Sequence, residues 1–88
     1  MKIIINRCFG GAGLNKAAAD KYNHGEEYWF DREDASLIAA IENGENINSD
    51  FSKLEVVSIP DEVTDYEINE YDGMESIICV IDGKLYHL

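Results

Sequence analysis

Three groups of residues have side chains or backbone that could do chemistry. The first is Gly10-Gly11-Ala12-Gly13, a glycine-rich stretch between an apolar run and a helical pattern. Free amides in such a loop, with the positive end of the helix that follows, are how many proteins hold phosphate. Arg7 and Lys16 flank the stretch and would favour an anion. The spacing falls short of a fingerprint, because Gly11 and Gly13 give G-x-G and the third glycine would fall on Lys16. No G-K-[ST] triplet exists either. The simpler reading is a tight strand-to-helix turn that needs positive φ. A small-ligand or nucleotide-binding domain using Gly10, Gly11, Gly13, Arg7 and Lys16 is therefore the alternative function, not the first one.

The second group is Cys8, Cys79, His24 and His87. No C-x-x-C or H-x-x-x-H spacing links them, so a structural zinc site is not expected. Cys8 lies just before the glycine stretch, where a helix N-terminus could stabilise a thiolate. A nucleophile also needs a base, and His24 falls at the far end of the same helix. Cys8 and Cys79 read as packing residues. No catalytic constellation, metal or cofactor is expected.

The third group is the carboxylates. The chain carries 18 Asp+Glu against 7 Lys+Arg, a net charge of −11. Residues 1–25 hold four of the basic residues and one acid, and residues 26–88 hold three basic residues and seventeen acids. Asp61, Glu62, Asp65, Glu67, Glu70, Asp72 and Glu75 are seven acids in fifteen residues with no Lys or Arg among them. This acidity argues against binding nucleic-acid phosphates or anionic membrane surfaces. It suits solubility, and it suits steering toward a basic partner. Tyr28-Trp29-Phe30 sits between Glu26-Glu27 and Asp31/Glu33/Asp34. Aromatics ringed by acids make a plausible binding patch if they are exposed. The expected partner-binding residues are Asp65, Glu67, Glu70, Asp72, Glu75 and Trp29.

The elements that must position these groups read as one α+β domain of 88 residues, in the order β-α-β-α-β-β-β-β. Lys2–Cys8 reads as a strand whose three isoleucines imply cover on both faces, hence a central strand. Asn15 caps a helix over about Lys16–Asn23 that stops at Gly25. Glu27–Phe30 reads as a short second strand. Asp34 caps a second helix ended by Gly44. Leu54–Ile59 is a strand stopped by Pro60. Asp72-Gly73 and Asp82-Gly83 are two-residue hairpin turns, which imply a meander of Tyr66–Tyr71, Met74–Ile81 and Lys84–Leu88. Two-residue turns set the register: Ile68 faces Ile77, Tyr66 faces Cys79, Cys79 faces Tyr86, and Glu70 faces Glu75. Two helices on one side of a single sheet complete the expected architecture.

The opening K-I-I-I-N-R-C-F-G-G-A-G-L at 2–14, with V-S-I-P-D-E-V at 57–63 and E-Y-D-G-M-E at 70–75, resembles a set of small proteins encoded by phages and prophages. Ala12 departs from the larger aromatic usual there, and Ala35 from a helix-opening proline. The resemblance implies a mobile-element origin and a bacterial cytoplasm. It also raises inhibition of host machinery, including defence or nucleic-acid-handling factors, as a class of function. The apolar run after Lys2 is too short for a secretory leader, which fits the same compartment. The expectation is thus a non-enzymatic interaction protein that binds a host protein with a basic surface through its acidic face.

Overall fold

Residues Lys2–Asn6 form β1, which pairs antiparallel with β2 (Leu54–Ser58) as a two-stranded ribbon. The computed structural model describes residues 1–88. Side chains alternate across a strand, so Ile4 and Leu54 face one way and Ile3 and Ile5 the other. Ile4 packs into a cluster with Leu14, Ala18, Ala19, Phe30, Leu37 and Ile47. Ile3 and Ile5 pack with Ile59, Ile77 and Cys79. All three isoleucines are fully buried, and each contributes about 2 kcal/mol of hydrophobic stabilisation.

The helices α1 (Lys16–Tyr22) and α2 (Ala35–Glu42) cover the first face. Asn15 caps α1 by accepting from the Ala18 amide at 2.7 Å, and Asp34 caps α2 by accepting from the Leu37 amide at 3.0 Å. The second face is covered by an antiparallel meander of β3 (Asp65–Tyr71), β4 (Met74–Ile81) and β5 (Lys84–His87). Its register is the expected one, including Ile68↔Ile77, Tyr66↔Cys79, Cys79↔Tyr86 and Glu70↔Glu75. Positive φ at both Asp72 and Gly73, and at both Asp82 and Gly83, marks two type I′ turns.

The α+β class and the closing meander therefore match expectation, while two features differ. The strands form two sheets, β1-β2 and β3-β4-β5, so the molecule is three layers with the ribbon in the middle. Glu27–Phe30 is not a strand. The carbonyl of Glu27 accepts from the Leu14 amide, and the Asn23 side chain donates to the carbonyls of Glu26 and Trp29. Isolated partners on different elements hold the segment as an irregular loop, and no ladder forms.

β1 is covered on both faces as expected, but it is not the central strand that this cover implied: it pairs with β2 alone and has no strand on its outer edge. The backbone and side chain of Arg32 and the side chain of Glu75 complete that edge. The Ile4 amide donates to the Arg32 carbonyl at 2.8 Å, and the Arg32 guanidinium donates back to the Ile4 carbonyl at 3.3 Å. The Asn6 amide donates to Glu75 Oε1 at 2.7 Å. Arg32 and Glu75 in turn form a two-pronged ion pair, with Nη2 to Oε2 at 2.7 Å. A salt bridge between a loop and the meander thus stands in for a strand.

Candidate protein-binding surface

The glycine stretch is positioned by the end of β1. The fully buried Asn6 places its side-chain amide within 3.0 Å of the carbonyls of Cys8, Gly11 and Gly73, and its Oδ1 accepts from the Lys53 amide. The Gly10 amide donates to the Asp72 carbonyl at 2.9 Å. The first hairpin turn thereby lies on the glycine stretch, and a Cβ on Gly73 would stand 2.2 Å from the Gly11 amide nitrogen. Gly10 and Gly11 take positive φ, as a tight turn needs. The flanking cations point elsewhere. The Arg7 guanidinium donates to the Glu75 carbonyl and lies 3.7 Å from Glu55, while Lys16 is exposed beside Asp20. The five residues of the small-ligand alternative are not gathered around one anion position.

The six partner-binding candidates separate in the same way. Glu75 is a correction: it is buried, with both carboxylate oxygens engaged by Arg32 and the Asn6 amide, and presents nothing to a partner. Like charges directly opposite across a ladder repel, and Glu75 faces Glu70; the repulsion is relieved on both sides, because Glu70 accepts from the Gly73 amide in its own turn. Asp72 lies in the docked turn, where its carbonyl is the acceptor for Gly10. Asp65 and Glu67 are exposed on β3, one of the two edge strands of the meander. Trp29 is 73% exposed, and its neighbour Tyr28 is 82% exposed. The alternating-face expectation for 28–30 fails together with the strand. Phe30 alone turns into the core, while Tyr28 and Trp29 both face solvent.

Tyr28 and Trp29 form one wall of a cleft of about 360 Å³ whose other side is Tyr66 and Ile68 of β3. Asp31 and Glu33 line it as well. The Tyr66 hydroxyl donates to Glu33 Oε2 at 2.9 Å. Burial pushes the Tyr66 phenol above the ordinary tyrosine range, helped by the hydrogen bond to Glu33 and by the negative charge of Glu33, Asp31 and Asp65. The one cation in the cleft, Arg32, is committed to Glu75 and stacks over the Phe30 ring. Asp31, Glu33, Asp65 and Glu67 take part in none of the ion pairs of the molecule. The cleft is thus aromatic on one side and negative at Asp31 and Glu33, while Asp65 and Glu67 point to the opposite face of β3.

Tyr28 also borders a second cleft of about 360 Å³, with Gly10, Gly11 and Gly13 as floor and Phe51 as its other aromatic wall. Phe51 is 69% exposed. Sequence reasoning missed its role and that of Tyr66, whose core-facing position hides that its hydroxyl reaches the cleft. Arg32 was legible only as one cation in an acidic stretch.

No family model, curated protein or solved structure matches the chain. No helix is long and apolar enough to cross a membrane. Both cysteines are free thiols, Cys79 buried and Cys8 half-buried.

Proposed function

We propose that this protein is a non-enzymatic interaction module that binds a partner protein with a basic surface through its acidic surface, where Asp31 and Glu33 line the Tyr28–Trp29 cleft and Asp65 and Glu67 continue the charge on the outward face of β3. The observation that carries this reading is the exposed Tyr28–Trp29 pair set among carboxylates that have no internal cation. Exposed aromatics supply binding area, and one sign of charge supplies steering and selectivity. The likeness of the two ends of the chain to small phage and prophage proteins supports a host bacterial protein as the partner, with inhibition of a defence or nucleic-acid-handling factor as the consequence.

The test is capture from bacterial lysate over a series of salt concentrations, with wild type beside an Asp65→Lys/Glu67→Lys variant. Both positions are exposed, so the fold is expected to survive, and circular dichroism checks that it does. Reversal at Glu75 would not serve, since it would set a lysine against Arg32. A specific protein that elutes with salt and is lost in the variant supports the proposal. A partner held at full affinity by the variant overturns it.

A further inference from the structure

We propose that a second copy of this chain pairs with the outer edge of β5, joining two meanders into one continuous sheet. The register leaves that edge open. In the second hairpin Ile81↔Lys84 closes the turn and Cys79↔Tyr86 lies two residues on. The closing pair of such a turn is hydrogen-bonded, and bonded and non-bonded pairs alternate along an antiparallel ladder. The Leu88 amide donates to the Ile77 carbonyl at 2.9 Å, as that alternation requires. The amides and carbonyls of Leu85 and His87 therefore point away from β4, and no backbone bond outside the ladders engages them.

The other strand edges are blocked or charged. On β1, Arg32 and Glu75 hold the Ile4 and Asn6 amides. β2 gives its Leu54 amide to Asn48 Oδ1 at 2.8 Å and runs into Pro60, and a proline blunts an edge. β3 carries Asp65, Glu67 and Glu70, so two copies meeting there would set acid against acid. β5 has none of these devices. Residues 84–88, K-L-Y-H-L, hold no acid in a chain of net charge −11, and Leu85, Tyr86 and Leu88 are 68%, 45% and 40% exposed. A second copy fits this edge because it brings the same unpaired groups at the same spacing, on a strand where neither copy has a carboxylate. With the two strands paired about Tyr86, Leu85 of each copy faces His87 of the other, and each such pair exchanges both hydrogen bonds. Exposed apolar side chains lose water on both copies, and both open edges close at once.

Sedimentation equilibrium over a concentration series tests the pairing. The interface is small, so the dimer is expected only toward millimolar concentration. It is expected to tighten with added salt, which screens two chains of like charge, whereas capture through the acidic surface weakens with salt. Hydrogen exchange at the Leu85 and His87 amides is expected to slow as concentration rises, with the Ile68 amide on β3 unchanged. Leu85→Lys/His87→Lys sets cations opposite each other in both pairs and is expected to weaken the dimer about tenfold, although it lowers the net charge that drives the copies apart. Leu85→Glu/His87→Lys sets opposite charges there at unchanged net charge and is expected to bring the dimer back. Both positions are exposed, and circular dichroism checks the fold of each variant. A chain that stays monomeric at millimolar concentration overturns the proposal, as does a dimer that ignores the paired lysines or protects other amides instead. So does capture of a lysate protein by a monomeric wild type that Leu85→Pro abolishes, which would place another protein's strand on β5. None of these outcomes touches Asp65 and Glu67, so the acidic-surface reading stands or falls separately.

Discussion

The two hairpin turns of the meander have the same sequence and the same backbone. Asp72-Gly73 and Asp82-Gly83 both take positive φ at both residues. Their surroundings have nothing in common. Gly73 is buried against the backbone of Gly10 and Gly11, whereas a Cβ on Gly83 would meet nothing within 4 Å. Two residues further on the contrast inverts the usual hydrophobic order. Glu75, after the first turn, is buried, and Leu85, after the second, is 68% exposed. One turn is part of the interior because β1 lacks a third strand and Glu75 must reach its edge. The other turn only reverses the chain. A local signal sets the turn type, and the rest of the fold sets what the turn is worth.

The largest expected effect comes from removing the carboxylate that the docked turn delivers. Glu75→Ala should destabilise the protein by about 3–5 kcal/mol in urea unfolding, because Arg32 is left without its partner. A loss near 1 kcal/mol would mean that Arg32 escapes to water and that the edge of β1 does not depend on the pair. Gly73→Ala comes next, at about 3–4 kcal/mol. It combines the cost of an L-residue in the left-handed region with a clash against backbone that cannot swing aside. Gly83→Ala should cost about 1–2 kcal/mol, the conformational term alone. The difference between the two glycine variants isolates the docking of the first turn. Equal losses would refute that docking.

The smallest effect concerns the surface beside the docked hairpin. The Tyr66 phenol titrates above the ordinary tyrosine range, and Glu33→Gln should lower it part of the way, leaving the larger contribution of burial. Because the folded-state value is raised, the stabilisation from keeping Tyr66 protonated is complete below about pH 10 and is lost as pH rises through the folded-state value. Ultraviolet titration of the wild type and of Glu33→Gln reads the shift directly. An unchanged titration would detach Tyr66 from Glu33.

Most local structure was legible in the residues. Asn15 and Asp34 are caps because a short side-chain acceptor before a helical pattern can reach the free amides of the first turn. The meander register followed from loop length alone, and Ile3-Ile4-Ile5 announced burial on both faces. The segment 27–30 was not legible as a loop. Its aromatic composition suits a strand, and its carbonyls are captured instead by the Leu14 amide, across the first helix, and by the side chain of Asn23 at that helix's end. Glu70 and Glu75 illustrate the same limit at the candidate site. Their cross-strand pairing was readable, yet nothing near them in sequence says that Arg32 would neutralise one of them inside the protein.

The sequence by itself determined the caps, the turns, the pairing of the last three strands and the excess of negative charge. These depend on residues a few positions apart, where backbone geometry leaves few choices. Only the tertiary structure decided which acids stay exposed, which Asp-Gly turn packs on the glycine stretch, and that Tyr28 borders two clefts. Each of those outcomes rests on contacts between residues dozens of positions apart. Hydrophobic burial sets those distances without regard to the polar groups it brings along, and Asn6, Arg32 and Glu75 are the side chains that satisfy what is left.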